Sequence, residues 1–314
     1  VNWNAIPLGM VERIEIIKGA KSAAYGQSEG GVINIITKKS ADAGELQLTA
    51  GNNDRRQYIF NYGVQTDKLG FRVYANKSEQ DAYLRNSDYD NEQTGINLNY
   101  KLSQTDSLRF NYDHQQLKRG LVIANNTSNF DSRYPISSGD TFANSNAAPE
   151  DGSYTKIYRN NFNVTWNSDR DNGSDSLTYW KNYEKQREHN VNAGKVMFDR
   201  YNVTDKSSGV MYKGNAKVNA KHHLGYGVDY KRLRYGYGWY NSNATVTSNG
   251  ETKPAGGALY PSQKLDVWGA YIEDNWQIND RWLTNIGLRY DKMKGDRDAA
   301  QATNIGSMNG SALS

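Results

Sequence analysis

The chain has 314 residues with no cysteine, a formal net charge of +4 and a mean hydropathy of -0.87. Its 23 tyrosines and 7 tryptophans exclude a disordered segment, because disordered chains are poor in aromatic residues. Its 38 basic and 34 acidic residues are spread along the sequence, so no basic arm predicts a nucleic-acid partner. No run of apolar residues is long enough for a membrane-spanning helix.

The first predicted element is a compact β unit near the start of the chain. The segment VERIEIIKGA alternates apolar and charged residues, and a second strand, VINIITK, follows it. A phosphate-binding loop is not indicated, because both the Walker spacing and a following helix pattern are missing. The positions where a tightly folded β unit needs positive φ or a close approach are supplied by glycines, namely Gly19, Gly26, Gly30 and Gly31.

From Glu45 onward, successive segments alternate apolar and polar residues with a period of two, which puts unlike side chains on the two faces of a strand. Many apolar faces end in Tyr or Trp, as at Trp166 and Tyr290. Strand length and interfacial aromatics are both typical of a transmembrane β-barrel. The pattern predicts about eleven strands, near residues 45–51, 55–65, 69–79, 92–103, 107–116, 155–168, 176–190, 206–219, 223–236, 265–278 and 281–293.

The connections between these strands alternate in length. TDK, SQTD, DRDNGSD, KHH and ND are short, whereas residues 116–154, 188–205 and 237–264 form long connections. Short periplasmic turns opposite long outer loops are typical of outer-membrane barrels. We therefore predict an all-β membrane protein with an antiparallel transmembrane β-barrel, in which His222 and His223 lie in a periplasmic turn. The chain lacks an initial Met and a signal peptide, and we expect it to be a fragment whose last residues lie in an outer loop.

The segment IPLGMVERIEIIKGAKSAAYGQSEGGVINIITK, Ile6 to Lys38, resembles the end of the plug domain of TonB-dependent outer-membrane receptors. Ala20 stands where that family usually has Pro, and Trp268 to Met293 is similar to a paired-strand motif of the same barrels. The resemblance implies that residues 1–40 end a plug and residues 41–314 form the first half of a 22-stranded barrel. Residues matching the plug pattern are Glu12, Arg13, Glu15, Gly19, Ser22, Tyr25, Gly26, Gly30, Gly31, Asn34 and Thr37.

Membership in this family implies energised uptake of a scarce ligand across the outer membrane of a Gram-negative-type bacterium. The implied partners are the TonB complex of the inner membrane, outer-membrane lipid and a transported iron chelate, a ferric siderophore. Cobalamin or haem is the alternative ligand, and a passive porin or a structural or adhesive barrel is the alternative class. A porin would have no plug. No enzyme is expected, since four histidines, two of them adjacent, form no catalytic set, and neither an intrinsic cofactor nor a metal site is expected.

The sequence predicts two kinds of site. Between plug and barrel, charged side chains are expected to pair, because a partly buried interface favours paired charges; these plug–barrel contacts are Glu12, Arg13, Glu15 and Arg289. The turns of the plug motif are assigned to Gly19, Tyr25, Gly26, Gly30 and Gly31.

Ligand binding is predicted at a strand mouth on the outer side, where aromatic residues are concentrated. Stacking and cation–π contact with Arg232, Arg234 or Arg187 could hold an anionic, aromatic iron chelate. The alternative is that these aromatics form an interfacial girdle or pack within the loop. The predicted ligand-binding residues are Tyr235, Tyr237, Trp239, Tyr240 and Tyr260.

Overall fold

The fold is almost entirely antiparallel β-sheet. The computed structural model describes residues 10–17, 23–25, 31–38, 42–128, 130–139, 150–192, 195–242, 246–248, 251–253, 256–260, 263–297 and 308–313. A single turn of 3-10 helix, Ala23–Tyr25, lies among the described N-terminal residues. Among the described residues, no helix is long and apolar enough to cross a membrane.

The described strands are numbered in chain order. They are β1 (Val11–Ile17), β2 (Val32–Thr37), β3 (Ala43–Gly51), β4 (Arg55–Gln65), β5 (Leu69–Gln80), β6 (Tyr89–Lys101), β7 (Asp106–Gly120), β8 (Tyr154–Arg170), β9 (Gly173–Asn192), β10 (Lys195–Asp205), β11 (Ser208–Lys217), β12 (His222–Tyr235), β13 (Tyr237–Ser242), β14 (Val246–Ser248), β15 (Glu251–Lys253), β16 (Gly256–Tyr260), β17 (Gln263–Asn279), β18 (Trp282–Arg297) and β19 (Met308–Leu313).

The first two strands form a separate hairpin. β1 pairs antiparallel with β2, with Ile14 opposite Ile35, and the amide of Lys38 donates to the carbonyl oxygen of Met10 at 2.8 Å. Met10 is 1% exposed. We call β1, β2 and the 3-10 helix the N-terminal unit. It is the compact β unit that the alternation and the glycines of the sequence predict.

The other long strands form one continuous wall. Its order is β19-β18-β17-β12-β11-β9-β8-β7-β6-β5-β4-β3, so twelve described strands lie on the path, and the pairs along it are antiparallel. Beyond the wall, on the side of the long connections, β10 pairs with β9 and β13, and β13 pairs with β16. The antiparallel, nearly all-strand architecture predicted from the alternation is confirmed.

The two faces of the wall have opposite chemistry. On β4, Tyr58, Phe60 and Tyr62 are 43%, 46% and 48% exposed, whereas the intervening Asn61 is 1% exposed. An apolar exposed face and a polar buried face are the reverse of a soluble protein, and they match a barrel whose outside meets lipid. We call these the outer and the inner face. Further polar residues buried on the wall include Arg72, Asn91, Gln93, Gln115, Asp229, Arg289 and Asp291.

Three predictions are wrong in detail. Within the stretch 188–205, which was predicted as a loop, residues 188–192 end β9 and residues 195–205 form β10. The chain end, predicted in an outer loop, contains β19, which pairs with β18 and brings the wall to twelve described strands instead of eleven. His222 and His223 begin β12 instead of lying in the turn, because backbone pairing with β17 starts at His222 opposite Trp276. The pairing partner decides each of these cases, and local pattern alone does not contain it.

Candidate functional site

The charged residues of the N-terminal unit pair within the unit itself. Arg13 donates to Glu15 at 2.8 Å and to Glu12 at 3.0 Å, and Asn34 on β2 donates to Glu15 at 3.1 Å. The bonds from Arg13 and Asn34 lower the pKa of Glu15. The side chains of Glu12, Arg13 and Glu15 are about half exposed. The described contacts thus tie β1 to β2, and the predicted role of these three residues toward the barrel stays a prediction.

The 3-10 helix of the N-terminal unit lies against the inner face of β12, β17 and β18. The Nη1 atom of Arg289 on β18 is 3.4 Å from the carbonyl oxygen of Ala23, which accepts its hydrogen bond. Gly287 lies two residues before Arg289 on β18, and a β-carbon added to it would lie 3.1 Å from the Cβ of Ala23. The absence of a side chain at Gly287 therefore makes room for the side chain of Ala23. Beside it, Arg289 donates a hydrogen bond to the backbone of Ala23.

Arg289 is held from three sides on the inner face. It donates to Asp291 on its own strand at 2.7 Å and to Asp229 on β12 at 2.8 Å, and its side chain is 2% exposed. An added β-carbon at Gly269 on β17 would overlap the guanidinium, so a larger residue there would displace Arg289 from its present position. Lys231 lies 3.2 Å from Asp229. Two cations thus compensate two buried carboxylates, which is the condition under which buried charges are tolerated.

We call Gly269, Gly287, Arg289, Asp229 and Asp291 the wall seat. The sequence places Arg289 and Asp291 on the inner face, since they are two residues apart on one strand. Asp229 and Gly269 were not predicted, because they join the seat through pairing of strands that are up to 60 residues apart. The alternation of β12 could have placed Asp229 on the inner face, but it carries no information on its partner.

The second strand of the N-terminal unit faces another part of the wall. A cavity of about 300 Å³ separates β2 from β4, β6 and β7. The ion pair of Lys38 with Glu45, at 3.1 Å, joins the end of β2 to the first wall strand. The unit therefore contacts the wall at β12, β17 and β18 and adjoins it at β6 and β7. The lining of the cavity is polar on the wall side, with Gln65, Asn97, Asn99, Arg109 and Asn111.

Of the predicted plug turns, Gly31 has a φ of 108°, which favours glycine, and Tyr25 belongs to the 3-10 helix by its backbone. Gly19, Gly26 and Gly30 lie outside the described residues. The predicted ligand residues are placed by backbone only, and their side chains lie outside the described part of the structure. Tyr235 ends β12. Tyr237, Trp239 and Tyr240 lie on β13, paired with β16, where Tyr260 lies opposite Gly238.

The outer connections of β5 and β7 have a packed core that the sequence did not predict. Asn125 is fully buried, and its Nδ2 atom donates to the carbonyl oxygens of Tyr134 at 2.7 Å and of Asp131 at 3.0 Å. Asn86, at a φ of 58°, donates to the carbonyl oxygens of Leu121 and Ser153. These bonds fix two outer connections to each other, so part of the outer mouth is rigid.

A network of carboxylate and guanidinium groups also fixes this region. Arg133 donates to Asp131 at 2.6 Å, and these bonds lower the pKa of Asp131 to about 2. Arg85 pairs with Asp151 at 2.8 Å across the two connections. Within the described ranges, no group of three His, Cys, Asp or Glu side chains is placed to hold a metal ion.

Comparisons with known proteins agree with this geometry. A family model described as "TonB dependent receptor-like, beta-barrel" matches residues 41–314. The ferric enterobactin receptor of Pseudomonas aeruginosa is 29% identical in an alignment of 326 positions, which covers 92% of this chain and 42% of that protein. An iron-regulated outer membrane virulence protein of Vibrio cholerae is 29% identical over 302 residues, covering 92% of this chain and 40% of that protein.

The fold comparison gives the same result. The crystal structure of the ferripyoverdine receptor of Pseudomonas aeruginosa matches with a TM-score of 0.72 at 15% identity, over 96% of this chain and 43% of that one. The chain thus spans about two fifths of the length of the curated relatives it matches. It is an outer-membrane β-barrel protein. The chain belongs to the TonB-dependent receptor β-barrel family.

Proposed function

We propose that this chain supplies the end of a plug, residues 1–40, and the first half of the barrel, residues 41–314, of a receptor that imports a ferric siderophore. Uptake is driven through the TonB complex of the inner membrane, and the transported cargo is an iron chelate. The names of the relatives support the ligand class, since two of them are ferric enterobactin receptors. The full receptor is a gated transporter with no catalytic role and no intrinsic cofactor.

The observation that carries the proposal is the contact of the 3-10 helix with the wall seat. A passive porin needs an open lumen, whereas here Ala23 occupies the space above Gly287 and bonds to Arg289. The contact is polar and small, so it can be broken and remade at lower cost than an apolar core, as a plug that must rearrange requires. The crevice between β2 and the wall leaves further room for such movement.

Uptake measurements on the full-length receptor test the proposal. Cells lacking their other iron receptors are given radiolabelled iron as a ferric catecholate, or labelled cobalamin or haem, with and without a functional TonB. We expect saturable uptake of the iron chelate that disappears without TonB. Uptake of cobalamin or haem but not of the chelate would overturn the ligand assignment. Uptake that is linear in concentration and independent of TonB would show a porin instead.

A matched pair of variants separates ligand-binding aromatics from girdle aromatics. Trp239 lies on β13, in the predicted ligand region. Trp282 begins β18 next to a short turn and is 66% exposed. We expect Trp239→Ala to weaken chelate binding by roughly fivefold, since stacking on an aromatic ring is worth about 1 kcal/mol. Trp282→Ala should bind as the native receptor does, and equal losses in both variants would contradict the assignment.

A further inference from the structure

The inner face of β5, β6 and β7 carries a strip of carboxamide side chains that bond to one another across the strands. Asn76 donates to the Oε1 atom of Gln93 at 3.0 Å, and Gln115 donates to the Oδ1 atom of Asn91 at 2.8 Å. Carboxamides both donate and accept hydrogen bonds, so this part of the lumen is polar without being charged. We define the amide strip as Asn76, Gln93, Gln115, Asn97, Asn111 and Asn99.

The charge beside the amide strip is positive. Across the described strands β5, β6 and β7, alternation places one carboxylate on the inner face, Asp113, and Asn161 donates to it at 2.8 Å. Arg109 lies on the same face, opposite Asn99 in the register, and is exposed. Within the described part of the chain its guanidinium forms neither a hydrogen bond nor an ion pair. It is therefore available to an anion.

The lower end of the amide strip opens into the cavity of about 300 Å³ between β2 and the wall, which we call the β2 crevice. Asn97, Asn99, Asn111 and Arg109 line its wall side. Arg109 is three residues from the start of β7, which follows a short turn, and this distance is about 10 Å along the strand. Because the short turns of such barrels are periplasmic, the β2 crevice lies toward the periplasmic end of the lumen.

Widening of the β2 crevice requires little loss of contact. The ion pair between β2 and the wall, Lys38 with Glu45 at 3.1 Å, has side chains that are 33% and 47% exposed. Exposed ion pairs contribute little to stability, whereas the bonds that hold Arg289 at the wall seat are buried. Sites for drug-sized ligands occupy about 300–1,000 Å³, so the present crevice is at the lower limit for a chelate. Movement of β2 away from the amide strip supplies the remaining space.

Resting on the proposed uptake function, we propose that the β2 crevice is a second binding site for the anionic chelate, occupied after the chelate has left the outer mouth. Arg109 selects for negative charge there, because a guanidinium offers a planar fork of donors to paired anionic oxygens. The carboxamides supply further donors around it. Since they also bond to one another, their donors keep partners before the chelate arrives and after it leaves.

Separate measurements of binding and transport on the full-length receptor test this site, in cells that lack their other iron receptors. The affinity for a radiolabelled ferric tris-catecholate is measured without TonB, and the maximal uptake rate is measured with TonB. Asn99→Trp fills the crevice, Arg109→Gln removes the charge, and Arg109→Lys keeps it. Asn215→Trp is the control for added bulk, because Asn215 is an exposed asparagine on the inner face at the end of β11, bonded to Ser174 at 2.6 Å.

We expect Asn99→Trp and Arg109→Gln to lower the maximal uptake rate at unchanged affinity. The loss in Arg109→Gln should be roughly tenfold, as for one hydrogen bond to a charged group. Arg109→Lys should retain most of the rate, and Asn215→Trp should transport as the native receptor does. Heat-modifiable electrophoretic mobility checks that every variant is folded.

The possible failures are distinguishable. Absence of TonB-dependent chelate uptake by the native receptor would overturn the proposed function, and the second site with it. With native uptake intact, three results would each overturn the second site alone. They are a native rate in folded Asn99→Trp or Arg109→Gln, a loss of affinity equal to the loss of rate, and an equal loss of rate in Asn215→Trp.

Discussion

Arg289 and Ala23, which are 266 residues apart in sequence, are joined by a hydrogen bond of 3.4 Å from the guanidinium to the carbonyl oxygen. The bond connects the wall of the barrel to the 3-10 helix of the N-terminal unit. Because the same guanidinium also pairs with Asp229 and Asp291, contacts within the wall fix its position independently of the helix. The contribution of the wall seat to barrel stability and its contact with the 3-10 helix can therefore be tested separately.

Arg289→Met should destabilise the barrel. The substitution leaves Asp229 and Asp291 buried without the guanidinium that pairs with both, and breaking a buried ion pair from one side costs about 3–5 kcal/mol. The measurement is the free energy of unfolding in urea, followed by tryptophan fluorescence. Arg56→Gln is the control, because Arg56 pairs with Asp54 at the surface with half of its side chain exposed. Equal unfolding of both variants would contradict the structural role of the seat.

Gly287→Val should displace the 3-10 helix while the barrel stays folded. The first added carbon already lies 3.1 Å from the Cβ of Ala23, and the branched side chain leaves no room for it. We expect faster cleavage of the N-terminal unit by protease and greater passive entry of a large antibiotic. Gly225→Val is the control, since the nearest atoms there belong to the side chain of Glu273, which can move aside. An unchanged cleavage rate in Gly287→Val would show that the helix does not rest on the wall.

The sequence predicts the wall well where strands cross the membrane. The strand predicted at 55–65 is Arg55–Gln65 in the structure, because each side chain there faces either lipid or the lumen and the alternation is clean. β10 was missed because its segment lies beyond the apolar band, where both faces of a strand can be polar. β19 was missed because MNGSAL has a weak pattern of its own and becomes a strand through pairing with β18.

The candidate site could be predicted only in part. Alternation places Arg289 on the inner face, but its partner Asp229 and the clearance at Gly269 depend on the register of three strands. Neighbours on the outer face have the same origin: Lys118, Lys156 and Arg187 are far apart in sequence and become neighbours only when β7, β8 and β9 pair. Non-local register is the information that a single sequence does not state directly.

The direction of the strands gives a labelling prediction. Asn172 lies in the short turn between β8 and β9, and Asn126 is exposed in the long connection between β7 and β8. Because the chain has no native cysteine, Asn172→Cys and Asn126→Cys each introduce a unique thiol in it. A membrane-impermeant maleimide applied to whole cells should label Asn126→Cys only. Labelling of Asn172→Cys alone would show that the strands run in the opposite direction, and labelling of both variants would contradict the assigned orientation.

The outer connection between β7 and β8 should open in acid. Bonds from Arg133 hold the pKa of Asp131 at about 2, below the ordinary aspartate value of 3.8. A lowered folded-state pKa stabilises the connection above the unfolded-state pKa and loses that contribution as the pH falls through about 2. The backbone N–H of Asp131 donates to Oδ1 of Asn125, and Nδ2 of Asn125 donates to the carbonyl oxygen of Asp131. Loss of the ion pair of Asp131 with Arg133 therefore loosens the anchor of the whole connection.

Cleavage by pepsin, which is active in this range, measures the opening. We expect residues 121–139 to resist cleavage at pH 4 and to become sensitive toward pH 2. Arg133→Gln removes the main cause of the lowered pKa, so the onset should move up toward pH 4. Lys118→Gln is the control, because Lys118 lies at the end of β7 and makes no described bond to Asp131. The same onset in Arg133→Gln and in the native receptor would show that this ion pair does not hold the connection closed.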